Sequence, residues 1–201
     1  MIVLGITGSI GMGKSVAAAQ LMSLGVPVHD ADRAVHELLE QGGAAVARIG
    51  REFPGTVRNG TVDRAKLGAR VFGDEMALAR LEGILHPLVQ NRHASFIARA
   101  RRRRLPIVAL DIPLLFETGG EGQCDAVAVV TCPAFLQEQR VLRRPGMNRA
   151  RLASIRSRQM PDVEKRRWAD YVIQTGNGRR ASLRRLAAIV HRLRKSSRSK
   201  I

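Results

Sequence analysis

Gly8-Ser9-Ile10-Gly11-Met12-Gly13-Lys14-Ser15 sets a lysine and a hydroxyl behind three glycines, in the pattern Gly, four residues, Gly-Lys-Ser. Those residue types at that spacing suit a triphosphate. Gly8, Gly11 and Gly13 let backbone N–H groups approach anionic oxygens, Lys14 brings a mobile point charge to the β- and γ-phosphates, and the Ser15 hydroxyl is a candidate Mg²⁺ ligand. The apolar run Ile2-Val3-Leu4-Gly5-Ile6 before the loop reads as a buried strand, and Val16 to Leu24 after it as a helix whose N-terminus favours anions. A glycine-rich turn with no ligand is the alternative reading. The strand before and the helix after argue against it.

A hydroxyl acceptor attacking a γ-phosphoryl group would need its proton accepted, and the second candidate strand, Val26-Pro27-Val28-His29, ends in Asp30-Ala31-Asp32. Asp32 is a candidate base there; the competing role for either aspartate is to cap a helix over Arg33 to Glu40. His86-Pro87 reads first as a boundary between two helices, because proline lacks the amide donor a helix interior requires. Asp111 closes the strand Ile107-Val108-Ala109-Leu110, where an acid either assists Mg²⁺ or caps and pairs with a cation. Ile112-Pro113-Leu114-Leu115-Phe116-Glu117 follows, an apolar stretch ending in a carboxylate that suits a nucleoside or pantetheine-like body or, equally, a helix-start staple. Gln137, Arg140 and Arg144 are spaced for one face of a helix over Ala134 to Met160, where arginines either converge on phosphate or form a solvated surface.

The elements that must carry these residues alternate strand and helix. A fourth strand, Ala126 to Thr131, and a last one, Tyr171 to Gln174, complete a parallel sheet whose carboxyl edge collects the candidate residues. Residues 42–104 read as mostly helical, with breaks at Gly42-Gly43, Pro54-Gly55 and Asn59-Gly60 and with Asp63 and Asp74 as caps. Arg179 to Arg194 reads as an amphipathic helix; Trp168 and Tyr171 read as packing residues.

The bulk numbers admit a sizeable core: 201 residues, 45% hydrophobic. With no apolar stretch near the roughly 20 residues of a bilayer span, and Met1 leading straight into a strand, the reading is a cytosolic protein without a membrane segment. Cys124 and Cys132 are spaced for neither a redox pair nor a zinc knuckle, and His86 with His93 brings no further ligand. The charge of +17 is concentrated at one end: residues 1–139 carry 15 basic against 14 acidic residues, residues 140–201 carry 19 against 3. That asymmetry keeps a nucleic-acid-associated ATPase or an RNA- or DNA-binding protein as the rival reading. Only seven aromatic residues, five Phe, one Trp and one Tyr, are available to stack on bases.

Taken together, the loop, Asp30-Ala31-Asp32, His86-Pro87-Leu88, Pro113-Leu114-Leu115 with Glu117, the Gln137-Arg140-Arg144 spacing, Gln159 and Ala169-Asp170-Tyr171-Val172-Ile173 resemble the dephospho-coenzyme A kinase family over nearly the whole chain. The resemblance implies ATP- and Mg²⁺-dependent phosphorylation of the ribose 3′-hydroxyl of dephospho-coenzyme A. It implies a three-layer α/β/α P-loop fold with a five-stranded parallel sheet, built as one kinase domain: core 1–41, 105–133 and 169–195, helical substrate-binding region 42–104, arginine-rich helical lid 134–168 and basic tail 196–201. By that resemblance Lys14, Asp32 and Arg140 are catalytic. Gly8, Gly11, Met12, Gly13, Lys14, Ser15, Val16, Arg140 and Arg144 bind the nucleotide, with Ser15 on the metal. Thr7, Asp32, His86, Pro113, Leu114, Leu115 and Glu117 contact dephospho-coenzyme A. Two positions depart from the family pattern: Val16 stands where many members have Thr, and Thr175 where Asn is usual near the adenine turn. Asp111 is not a position the family requires.

Overall fold

The computed structural model describes residues 1–198. Among them β1 (Ile2–Thr7), β2 (Val28–Asp30), β5 (Ile107–Asp111), β6 (Ala126–Thr131) and β7 (Tyr171–Gln174) form a parallel sheet in the order β2-β5-β1-β6-β7. β1 lies between β5 and β6, with Ile6 opposite both Asp111 and Ala128. Strands β1, β5 and β6 are nearly unbroken apolar runs because both faces of the sheet are covered. Ala126, Ala128 and Val130 share a cluster with Ala17 and Leu21 of helix α1 (Lys14–Ser23) and with Leu186, Ile189, Val190 and Leu193 of α9 (Arg179–Arg198). Their odd-numbered neighbours Val127 and Val129 pack with Leu115 and Phe116 on the opposite face, as the two-residue strand period requires. The three layers expected from the sequence are therefore present.

The chain divides into two compact units, Met1–His29 with Arg99 onward, and Asp30–Ala98. The first holds most of the sheet, together with α6 (Ala134–Leu142), α7 (Arg149–Ser157) and α8 (Asp162–Trp168). The second contains α2 (Ala31–Leu39), α3 (Val46–Glu52), α4 (Arg64–Val71) and most of α5 (Glu75–Arg102) around its own core of Leu38, Ile49, Phe53, Leu67 and Leu81. Asp30 caps α2 by accepting the Arg33 N–H, and Asp63 caps α4 through the Ala65 and Lys66 N–H groups.

Two local expectations change. α5 runs unbroken through Pro87, so His86-Pro87 is no helix boundary. A proline inside a helix costs about 3 kcal/mol, whereas each buried Leu, Ile or Val contributes about 1.5–3 kcal/mol. Leu81 is buried in the core of this unit and Ile84, Leu85, Leu88 and Val89 are half-buried against it, so their summed packing on both sides of Pro87 offsets the lost amide. Residues 42–104 also contain a small hairpin of β3 (Val57–Arg58) and β4 (Thr61–Val62), turning at Asn59 (φ 50°) and Gly60 (φ 74°). Two consecutive positive φ values are what an Asn-Gly hairpin turn needs. Among the described residues no helix is long and apolar enough to cross a membrane.

Candidate active site

β1 delivers the chain into the glycine loop, and Gly13, at φ 95°, is the N-cap of α1. Lys14 and Ser15 are thus the first residues of that helix, where backbone donors and the helix dipole favour an anion. Ser15 is exposed and Val16 half-buried. Gly8 is required by close approach: a Cβ there would stand 2.6 Å from the Val130 carbonyl oxygen of the neighbouring strand. Immediately before it, the Thr7 hydroxyl donates to the Pro113 carbonyl at 2.9 Å. This ties the loop's entry to the segment after β5.

The Lys14 ammonium lies 2.6 Å from Asp111 Oδ1, and the Asp111 side chain is almost fully buried at the end of β5. Parallel pairing of β1 with β5 makes this meeting unavoidable, because it sets Asp111 opposite Ile6, just ahead of the loop. Of the alternatives read for Asp111, the structure realises the ion pair. The buried carboxylate holds the Lys14 amine at the loop.

Arg140 reaches the loop through Thr175. Its two terminal nitrogens donate to the Thr175 hydroxyl (3.0 Å) and carbonyl (3.1 Å), and that hydroxyl donates to the Met12 carbonyl at 2.6 Å. Thr175 is therefore buried beneath the loop, linking Arg140 to Met12. Arg144 falls beyond the last residue of α6, Leu142, and is exposed, so Gln137, Arg140 and Arg144 do not share one continuous helix.

The Pro113–Glu117 segment divides its roles. Leu114 is exposed, while Leu115 is fully buried with Phe116, so any approach of Leu115 to a ligand is through its backbone. Glu117 Oε1 accepts the Met160 N–H at 2.9 Å and pairs with Lys165 Nζ at 2.7 Å; the Lys165 side chain is 0% exposed. In the helical unit, Asp32 is exposed in the first turn of α2, which Asp30 caps, and His86 is exposed on α5.

Sequence reasoning assigned no role to Gln159, Arg156 or Lys165, and placed Gln137 only by its spacing. Gln137 Nε2 donates to the Ile10 carbonyl at 2.8 Å, and the Ile10 N–H donates to Gln159 Oε1 at 3.1 Å. Arg156 donates to Gln137 Oε1. Two cavities, of about 510 and 280 Å³, are both lined by Met12, Gln137, Arg156 and Asp162, and the smaller also by Gln159. The larger also includes Cys132, whose thiol burial pushes above its ordinary pKa against the opposing pull of Arg140. The available signal was the appearance of Gln137 and Gln159 in the family pattern, which carries no geometry.

A family model described as dephospho-CoA kinase matches residues 2–180. The dephospho-CoA kinase of Paramagnetospirillum magneticum is 63% identical over 166 residues, covering 83% of this chain and 78% of that protein. That of Mesorhizobium japonicum is 56% identical over 194 residues, covering 96% and 98%. A crystal structure of a Thermus thermophilus protein superposes with a TM-score of 0.84 at 37% identity, covering 96% of this chain and 97% of the other. Matched along almost its entire length in sequence and in fold, the chain belongs to the dephospho-CoA kinase family.

Proposed function

We propose that this chain transfers the γ-phosphoryl group of ATP to the ribose 3′-hydroxyl of dephospho-coenzyme A, the final step of coenzyme A synthesis. The bond from the 3′-oxygen to the γ-phosphorus forms as the bond to the β-phosphate oxygen breaks, ADP departs, and the 3′-hydroxyl proton passes to Asp32. The observation that carries this reading is the loop itself: Lys14 and Ser15 open α1 behind Gly13, with Arg140 held beside the loop through Thr175. Lys14 draws the phosphate chain into place and Arg140 balances charge that develops on the transferred group.

The donor set fits Mg²⁺, which takes few protein ligands and arrives with the nucleotide: Ser15 offers an exposed hydroxyl next to Lys14. Ser15 would hold the ion, which when bound neutralises phosphate charge. Residues 42–104 are the helical substrate-binding region, and Asp32 and His86, like Thr7, Pro113, Leu114, Leu115 and Glu117, are each assigned a contact to dephospho-coenzyme A. Residues 134–168 act as an arginine-bearing lid, with Arg144 reaching ATP on closure. Every substrate in this reading is water-soluble, and we place the reaction in the cytosol.

The test is ADP release with Mg²⁺-ATP, comparing dephospho-coenzyme A, adenosine, a short RNA and no acceptor. Release that depends on dephospho-coenzyme A, with equimolar coenzyme A, is expected. Release driven by RNA alone, or by no acceptor, would overturn the acceptor assignment.

A further inference from the structure

We propose that Gln137 and Gln159 are positioning residues that clamp Ile10 from two sides and hold the phosphate loop in its ATP-binding shape. The inference rests on the reading of that loop as the ATP site. Ile10 lies between Gly8 and Gly13, and both of its backbone polar groups are taken by glutamine side chains. Gln137, on α6, donates Nε2–H to the Ile10 carbonyl at 2.8 Å. Gln159, in the connection between α7 and α8, accepts the Ile10 N–H on Oε1 at 3.1 Å. A glycine-rich loop has many conformations of similar energy, so fixing one backbone residue from outside removes freedom that phosphate would otherwise have to remove on binding.

The two glutamines are not interchangeable. Gln137 is buried, and its Oε1 accepts from Nε and Nη2 of Arg156, at 3.1 and 2.5 Å; this leaves only its NH₂ for the loop carbonyl. Gln159 faces an N–H and must present oxygen. The loop is also pressed onto the helix that carries Gln137: Gly11 has φ 75°, and a Cβ there would lie 2.5 Å from Val141 Cγ2 and 3.1 Å from the Gln137 carbonyl oxygen. Gly11 therefore serves contact with α6, independently of any approach to phosphate.

This donor–acceptor asymmetry supplies the test. Gln137→Met and Gln159→Met each remove one half of the clamp, and each should weaken ATP binding in direct titration, and raise KM for ATP, by roughly tenfold, the size of one hydrogen bond. KM for dephospho-coenzyme A should stay within about twofold. Gln159→Glu keeps an acceptor for the Ile10 N–H and should recover most of the ATP affinity. Gln137→Glu directs a carboxylate at the Ile10 carbonyl and should not. The two Glu variants change size and charge identically, so they remain informative if the Met variants fold poorly, and thermal melts report that directly. Equal ATP affinity in the two Glu variants, or Met variants that weaken both substrates alike or neither, would overturn the clamp. A wild-type protein that fails to bind ATP would instead remove the loop reading, and the clamp with it.

Discussion

At the scale of single residues, the decisive groups are those whose surroundings fix their position or their proton affinity. Lys14 is held against a buried carboxylate at 2.6 Å, so it is anchored at the loop before any phosphate arrives. Lys14→Ala is expected to lower both ATP affinity and turnover. With Asp32 in the proposed role of base for the acceptor hydroxyl, Asp32→Asn should lower kcat by about 10²–10⁴-fold with KM for ATP little changed. Steady-state kinetics in both substrates separates the two; near-normal kcat in the Asp32 variant would remove it from the base role. Cys124 illustrates burial as the leading cause: desolvation, helped by the charges of Asp125 and Glu121, pushes its pKa up to about 11 from 9.0. A raised thiol pKa contributes stability that is intact below the unfolded value and is lost as pH climbs toward the folded one. Alkylation of Cys124 at pH 8 should accordingly be far slower in the folded protein than in urea; equal rates would refute the burial argument.

At the scale of elements, helices and turns are joined by a few buried polar contacts rather than by their own propensities. The Glu117–Lys165 pair is the clearest case, since it locks the turn after β5 to α8 with a lysine that has no exposure. Removing one partner of a buried pair strands the other's charge, at a cost of about 3–5 kcal/mol, whereas replacing both by neutral groups is far milder. Lys165→Met should thus destabilise strongly in urea unfolding, and Glu117→Gln added to it should restore much of the loss. A double variant no better than the single one would show that Lys165 acts by packing alone. In α5, by contrast, apolar packing of buried Leu81 and of half-buried Ile84, Leu85, Leu88 and Val89 carries the helix across Pro87.

At the scale of the molecule, charge is distributed very unevenly. Residues 171–201 contain nine basic residues and no acid, and on α9 the side chains of Arg184, Arg192 and Lys195 are exposed. The apolar side of that helix, Leu186, Ile189, Val190 and Leu193, is buried in the core, so its cationic side is free to act over distance. Both proposed substrates are polyanions. Changing Arg184, Arg192 and Lys195 together to Gln should lower kcat/KM about two- to fivefold at low salt and leave kcat unchanged, with the gap closing as the Debye length falls below about 10 Å. A gap that persists at high salt would exclude steering.

The sequence by itself determined the five strands of the parallel sheet, the phosphate loop, the cap at Asp63, a cap for α2 at Asp30 or Asp32, and the family. Each of these is encoded locally: apolar runs set strands, Gly-Lys-Ser spacing sets the loop, and a single Asp beside a helix start satisfies its free amides. Only the tertiary structure decided which partners those residues meet. Asp111 pairs with Lys14 because β1 and β5 are neighbours, a register that no local pattern records. Arg140 meets Thr175, Lys165 meets Glu117, and Gln137 and Gln159 meet Ile10, across 35 to 149 residues of sequence. Such contacts form only once strand order and burial are settled, because a buried polar group takes the partner the fold brings to it.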